Sequence, residues 1–238
     1  MLFVIQLHMK NKSYIGIAFI VLVFGIYALP KIVNSIKDNT VVKTKGKIEK
    51  LFDKKGAASL MKFEHIPDFS FTNQDNKTIT NKDFENKVFV VEFFFTKCPT
   101  ICPKMNANMV KIQNTFSKNE NFGIASFSID PKRDNPEQLK KYALEKGATM
   151  KNWHFLTGDL ETIYKLSNNG FKLYAGENVK AEGGFEHSGL FALIDKNGFI
   201  RSRVVKDNDI ENPIKYYDGL NEEQINWIKE DIALLLSE

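Results

Sequence analysis

The sequence predicts an α/β domain with a central mixed sheet flanked by helices, preceded by an apolar N-terminal segment. Three observations predict this: a β-branched and aromatic run over Val88–Phe95, a helical apolar period soon after it, and an uncharged run over Tyr14–Leu29. A continuous apolar run of this length is typical of a strand covered on both faces. With 43% hydrophobic residues, a chain of 238 residues can form one globular core.

Residues 1–33 are predicted to form a transmembrane anchor. As a helix, the uncharged run would extend about 24 Å, slightly less than the roughly 30 Å hydrocarbon core, and residues beyond Lys31 can lengthen it. The alternative is a cleaved secretory signal, although no small-residue cleavage pattern follows the run. Because Lys10 and Lys12 precede it, we expect the N-terminus in the cytoplasm and the domain on the exported side, periplasmic or extracytoplasmic.

The positive charge of the chain is concentrated at this end. The net charge is +4, yet residues 1–60 hold ten lysines and three acidic residues, whereas residues 61–238 carry a net charge of −3. A basic excess confined to the terminus gives no reason to expect nucleic-acid binding. Residues 34–60 mix charge with weak periodicity and are predicted to form a stalk, so residues 61–238 form the domain.

The two cysteines of the chain, Cys98 and Cys102, follow the predicted central strand. A helix is predicted next because apolar residues recur at spacings of four, three and four, at Met105, Met109, Ile112 and Phe116. Pro99 and Pro103 are tolerated in or just before a first helical turn. The cysteines therefore lie on a strand-to-helix turn, where the helix dipole and Lys97 favour the thiolate form of both.

The remaining elements are predicted to alternate along the chain. They are a strand over Asn121–Asp130, a helix over Asn135–Gly147, a strand and turn over Trp153–Asp159, a short helix over Asp159–Ser167, a hairpin around Asp195–Gly198, and a helix from a capping pair of Asn221 and Gln224 through Leu236. This order, with a dithiol at the first strand-to-helix turn, is that of a thioredoxin-like fold.

His187 is the candidate for a third donor beside the two thiols. It lies on a loop in which Gly183 and Gly184 permit close approach to a site. Two sulfurs and one imidazole suit Cu(I) and can also hold Cu(II), whereas zinc requires four ligands or a catalytic water. The alternatives are a surface histidine with ordinary hydrogen bonds, and a structural disulfide, although so short a loop would stabilise the fold little.

Glu92 is the only charged residue in the predicted central strand. A position at a sheet end, with the carboxylate reaching water or a lysine, is favoured over a buried carboxylate that transfers protons, since burial would raise its pKa. Met105 and Met109 are soft donors, but they fall on the apolar face of their helix and are predicted to be core residues.

Four segments, "FFFTKCPTICPKM", "SIDPKRDNPEQLKKYA", "WHFLTG" and "EHSGLFALIDKNG", resemble the Sco/SenC family in order and spacing. These are membrane-anchored, thioredoxin-fold copper proteins that assist assembly of the dinuclear copper site of cytochrome c oxidase. The resemblance implies that Cys98, Cys102 and His187 bind copper and that Asp130 orients the site or aids transfer. The alternative for Asp130 is that it and Asp134 cap the following helix.

The resemblance implies a metallochaperone that passes one copper to the copper-receiving subunit of cytochrome c oxidase. The alternative is a thiol:disulfide oxidoreductase that reduces the cysteines of the apo copper site, with Cys98 attacking and Cys102 resolving, and with its own thiol-disulfide reductant as a partner. A third and weaker interpretation is a peroxidase or redox sensor. Lys97, Thr100 and Glu186 stand where many members have His, Asp and Asp, which bears on the choice of partner.

Overall fold

One mixed sheet organises the part of the chain that the computed structural model describes, residues 60–207 and 210–238. The strands are β1 (Met61–His65), β2 (Ser70–Asn73), β3 (Thr78–Thr80), β4 (Val88–Phe94), β5 (Phe122–Ser128), β6 (Trp153–Thr157), β7 (Ala175–Glu177), β8 (Phe185–His187), β9 (Leu190–Ile194), β10 (Phe199–Ser202), β11 (Val204–Asp207), β12 (Ile210–Pro213) and β13 (Tyr217–Asp218). The sheet runs in the order β1-β10-β9-β4-β5-β6-β2-β3, and β13 also pairs with β9. β5 is parallel to β4 and β6, whereas β9 is antiparallel to β4.

Four α-helices accompany the sheet within these residues. They are α1 (Cys102–Phe116), α2 (Pro136–Lys146), α3 (Leu160–Tyr164) and α4 (Glu222–Ser237). A π-helical segment, Lys165–Phe171, continues α3. Asn135 caps α2 by accepting from the Gln138 amide at 2.9 Å, and Asn221 caps α4. The arrangement is thioredoxin-like, as the order of predicted elements indicated.

β4 lies in the middle of the sheet and is buried along its whole length. Its apolar residues pack in an aromatic core, in which the Phe93 ring lies 5.5 Å from that of Phe127 and 5.7 Å from that of Phe171, centroid to centroid. Burying one such side chain contributes about 1.5–3 kcal/mol. The predicted strand covered on both faces is therefore confirmed, and it gives the loop that follows it a rigid support.

The predicted hairpin around Asp195–Gly198 is confirmed as β9 and β10, whereas β1–β3, β7–β8 and β11–β13 were not predicted. Within residues 60–207 and 210–238, no helix is both long enough and apolar enough to cross a bilayer. The predicted anchor over residues 1–33, and the predicted stalk up to residue 59, lie outside the described residues.

Candidate metal centre

The cysteine loop, residues 95–102, connects β4 to α1. Cys102 is the first residue of α1 and is fully buried. Pro103 follows it in the first turn, where a backbone N–H would have no intrahelical partner, so the missing N–H of proline costs no hydrogen bond. Cys98 retains 8% exposure, and its amide donates to the Phe95 carbonyl at 3.2 Å. Both thiols are free. The predicted position of the dithiol on a strand-to-helix turn is confirmed.

His187 is carried by a two-stranded hairpin formed by β7 and β8, named here the histidine hairpin (Ala175–His187). Gly183 adopts a φ of +85° at its turn, where a Cβ would meet the Phe95 ring at 2.8 Å and the Lys97 carbonyl at 3.2 Å. Glycine therefore lets the hairpin backbone lie directly against the cysteine loop. Gly184 also has a positive φ, of +88°, but open space surrounds it.

The sulfurs of Cys98 and Cys102 and a ring nitrogen of His187 all lie within 4.8 Å of one another. The Cys102 Sγ is 3.1 Å from the His187 Nε2. On the other side of the ring, Nδ1 lies 3.0 Å from the Ser188 carbonyl, which can only accept, so Nδ1 carries the proton of the neutral ring. The Nε2 lone pair therefore faces the sulfurs, as a metal ligand requires.

The two thiols differ in acidity. The hydrogen bond from Cys102 lowers the pKa of Cys98 well below its ordinary value, despite partial burial, and a contact with the Thr100 hydroxyl adds to this effect. The same bond and deeper burial raise the pKa of Cys102. The expectation of two thiolates is therefore wrong for Cys102, because one negative charge in so small a space disfavours a second. Of the two thiols, Cys98 is the more acidic.

Glu92 is fully buried in β4 rather than at a sheet end, so the favoured prediction for it is wrong. Its Oε1 accepts from the Ser126 hydroxyl at 2.7 Å, and that hydroxyl accepts from the Trp153 indole N–H at 2.9 Å. Its Oε2 has no hydrogen-bond partner among the residues that the structure describes. Burial raises the pKa of Glu92 to about 7, although the bond from Ser126 opposes this.

Neither Asp130 nor Asp134 caps α2, because Asn135 does so. The buried Asp134 carboxylate accepts from the Thr96 amide at 3.0 Å, from the Thr96 hydroxyl at 2.5 Å and from the Ser128 hydroxyl at 2.6 Å. It thereby fixes the start of the cysteine loop to the end of β5. Asp130 is not part of the three-residue donor group, and its carboxylate accepts from the Arg133 Nε.

Sequence reasoning did not single out Arg133, whose Nη2 donates to the Gly183 carbonyl at 2.8 Å. Its position three residues after Asp130 is a signal for a local ion pair. The contact with a hairpin fifty residues later has no local signal, because it depends on how the loops meet in space.

The fold and this cluster define a thioredoxin-like protein in which a dithiol and an imidazole meet at the first strand-to-helix turn. The SCO1/SenC family model matches residues 57–220, more than half of the chain. The chain belongs to the SCO1/SenC family, and the resemblance seen in the sequence is confirmed.

Three of the solved structures that are similar to this chain illustrate the family and its fold. A SCO1/SenC family lipoprotein from Bacillus anthracis strain Ames is 36% identical, with a TM-score of 0.62, over 73% of this chain and 95% of that one. BsSco, described as a Sco-family cytochrome c oxidase assembly protein with a disulfide switch, is 30% identical, with a TM-score of 0.60, over 73% and 94%. Bradyrhizobium japonicum ScoI, solved with copper bound, shares the fold at 22% identity, with a TM-score of 0.56, over 73% and 100%.

Proposed function

We propose that this protein binds one copper through the Cys98 Sγ, the Cys102 Sγ and the His187 Nε2 and passes it to the copper-receiving subunit of cytochrome c oxidase. The observation that carries the proposal is the convergence of these three donor atoms within 4.8 Å. Membership of the SCO1/SenC family supports it, since BsSco is described as a member of a family of cytochrome c oxidase assembly proteins.

The chemistry of the donor set fits copper. Thiolate sulfur is a soft donor and imidazole suits copper in both oxidation states, whereas magnesium and calcium prefer oxygen ligands. A structural zinc site requires a fourth ligand, and the donor group found in the described residues has three members. The orientation of the His187 lone pair toward the sulfurs is also the one that ligation needs.

The burial of the three residues gives an order to the transfer. Cys102 has no exposed surface, whereas Cys98 and His187 retain some. Donor groups of a client protein therefore reach the copper first from the side of Cys98 and His187, with exchange proceeding one ligand at a time. In this proposal Asp130 orients this side of the site through Arg133 and is not a ligand; the contacts of Arg133 with Asp130 and Gly183 support this role.

Copper retention tests the proposal. The reduced full chain is incubated with Cu(I), desalted, and analysed for bound metal and for dissociation into a chelator. We expect one copper per chain, and a dissociation rate about tenfold or more higher for His187→Ala, because removing a ligand leaves only two donors. His65→Ala, which removes a histidine outside the donor group, serves as the control. A wild type without copper, or a His187→Ala variant that holds copper equally tightly, overturns the proposal.

A second candidate function is reduction of the cysteines of the apo copper site, and the difference in acidity between the two thiols favours it. The Cys98 thiolate would attack a client disulfide and release one client thiolate; Cys102 would then lose its proton, attack the mixed disulfide and release the second. The disulfide formed between Cys98 and Cys102 would be reduced by an external dithiol. Reduction of Cys98 and Cys102 also precedes copper binding, so the two functions are compatible.

Alkylation distinguishes the two thiols directly. With limiting iodoacetamide at pH 7, we expect Cys98 to be labelled at least about tenfold faster than Cys102, because Cys98 is the more acidic thiol and retains 8% exposure, whereas Cys102 has none. Mass spectrometry of the peptides measures both rates. A Cys98→Ser protein should label slowly at Cys102, and equal rates in the wild type contradict the assignment of Cys98 as the attacking sulfur.

We also propose that residues 1–33 anchor the protein to the membrane, with the N-terminus in the cytoplasm and the domain exported. The uncharged run after Lys10 and Lys12 supports this orientation. The experiment is carbonate extraction of membranes together with protease treatment of intact spheroplasts. We expect the chain to remain in the membrane fraction and its domain to be digested from outside; a shortened, released domain indicates a cleaved signal instead.

A further inference from the structure

The histidine hairpin has few attachments to the rest of the domain. β7 and β8 pair only with each other in the described residues, and most of their side chains are partly or fully exposed. At its base, the Asn168 side chain donates to the Ala175 carbonyl at 2.8 Å and accepts from the Ala175 amide at 2.9 Å. His187 pairs with Ala175 at this base, so β8 is held at its His187 end by the Asn168 bonds and at its Phe185 end by the contacts of the turn. The rings of Phe185 and His187 both pack against the Phe95 ring of the cysteine loop, at centroid distances of 5.3 and 5.9 Å, so the contacts that hold Phe185 also bear on the position of His187.

Arg133 contacts that turn in two ways. Its Nη2 donates to the Gly183 carbonyl at 2.8 Å, and its guanidinium carbon lies 5.3 Å from the centre of the Phe185 ring. The first contact holds the backbone at the turn, and the second is a cation–π contact with the first residue of β8. Gly183 also lies so close to Phe95 of the cysteine loop that an added Cβ would meet its ring at 2.8 Å.

A second nitrogen of the same guanidinium is fixed to the core. Its Nε donates to the carboxylate of Asp130, a residue with 2% exposure. The Asp130 amide donates to the Ser128 hydroxyl at 3.1 Å, and its carbonyl accepts from the Asp134 amide at 2.9 Å. A planar guanidinium can hold two acceptors in fixed directions, whereas an ammonium group acts as a point charge.

We propose that Arg133, held by Asp130, is a positioning residue that latches the histidine hairpin onto the cysteine loop and so keeps the His187 ring beside the two sulfurs. The expected effect on copper retention rests on the proposed function, whereas the latch itself rests on the contacts described above. Lys132 makes a second link from the same loop, 3.8 Å from the Glu177 carboxylate, but both side chains are largely exposed. An exposed pair of this kind contributes little.

The simpler interpretation is that Arg133 only neutralises the buried Asp130 carboxylate. Under that interpretation, removing Arg133 affects copper whether or not His187 is present. If Arg133 is a latch, its removal affects copper through the His187 imidazole, so the effect on copper disappears when the imidazole is absent. The two interpretations therefore differ in a double-mutant cycle.

The experiment measures Cu(I) dissociation from the full chain for wild type, Arg133→Met, His187→Ala and the double variant. We expect Arg133→Met to raise the rate about tenfold in the wild-type background, within the range of residues that orient a metal ligand. In the His187→Ala background, it should change the rate less than about twofold. Lys132→Met, which removes a neighbouring charge, should behave like wild type. Equal effects of Arg133→Met in both backgrounds overturn the latch.

Amide hydrogen exchange of the copper-free chain tests the latch independently of the metal. We expect Arg133→Met to raise exchange across residues 176–187 about tenfold and to leave α1 unchanged. Arg133→Lys retains a cation opposite Asp130, so it serves if Arg133→Met does not fold, and it should raise exchange in the same segment. Unchanged exchange in the hairpin overturns the proposal. If the wild type binds no copper, the proposed function fails, and the exchange result still decides on the latch.

Discussion

The cysteine loop and the histidine hairpin contribute to one donor cluster but are held by different kinds of structure. The cysteine loop connects a fully buried central strand to α1, and Cys102 has no exposed surface. The histidine hairpin is a separate two-stranded sheet attached through a small number of polar and aromatic contacts. The difference indicates that the dithiol is preorganised by the core, whereas the imidazole is held by contacts that can be released one at a time.

This division fits the proposed function, in which the protein holds a metal and then gives it up. A site with three equally rigid donors would release copper slowly, because every ligand would have to leave a fixed position. With one donor on a weakly attached hairpin, opening that hairpin exposes the site while the sulfurs keep their geometry. The predictions that follow test the rigid half first and the attached half last.

The largest effect is expected at Asp134, the buried carboxylate that holds the start of the cysteine loop. Asp134→Ala leaves the amide and hydroxyl donors of Thr96 and the hydroxyl of Ser128 without their acceptor. We expect the free energy of unfolding to fall by about 3 kcal/mol in urea titrations. Asp75→Ala, which removes an exposed ion pair with Lys140, should cost less than about 1 kcal/mol. Equal losses in both variants contradict a structural role for Asp134.

Glu92 gives a pH-dependent effect of similar size. Burial raises its pKa from an ordinary value of 4.5 to about 7, so between these values the folded protein holds a proton that the unfolded chain has released. Stability therefore falls as the pH rises through this window, by about 3 kcal/mol in total, and the loss is constant above it. Glu92→Gln removes this dependence while keeping an acceptor for Ser126.

We therefore expect the free energy of unfolding of Glu92→Gln, measured relative to that of the wild type, to rise by about 2.5 kcal/mol from pH 5 to pH 8. Urea unfolding of both reduced, copper-free proteins at each pH gives this difference directly. Titrations of other groups are common to the two proteins and cancel. A difference that does not change with pH means that the carboxylate ionises in the folded state as it does in the unfolded chain.

The smallest effect is expected at the turn of the histidine hairpin. Alanine at Gly183 or at Gly184 destabilises the turn by a similar amount, about 1 kcal/mol, because both positions have a positive φ. Only at Gly183 does the new Cβ also meet Phe95 and the Lys97 carbonyl. We expect exchange of the hairpin amides to be about tenfold faster in Gly183→Ala than in Gly184→Ala, a difference of about 1.4 kcal/mol. Equal exchange shows that the close approach does not hold the hairpin.

Local patterns predicted the longer elements of the fold because each of these has a signal within a few residues. The apolar run of β4, the helical period of α1, and the caps at Asn135 and Asn221 are signals of this kind. The histidine hairpin lacks one, since its strands are three residues each and its sequence is polar and rich in glycine. Short strands of this kind form only because a neighbouring loop supports them.

The candidate site was predicted from residue types, and the structure brings Cys98, Cys102 and His187 together as that prediction required. Two features of the site could not be predicted from local sequence. The burial of Glu92 depends on β4 being flanked by β5 and β9, and the unequal acidity of the thiols depends on which of them is deeper in the fold. Both are consequences of tertiary position rather than of composition.

The bond from Trp153 to Ser126 links the indole to Glu92 through a single hydroxyl. Of the two tryptophans in the chain, Trp153 is the buried one, with 1% exposure. Indole emission responds to a nearby charge, so a proton gained or lost at Glu92 alters the fluorescence of the protein without any added label. The molecule thus contains its own optical probe for the electrostatic state of the strand that supports its thiols.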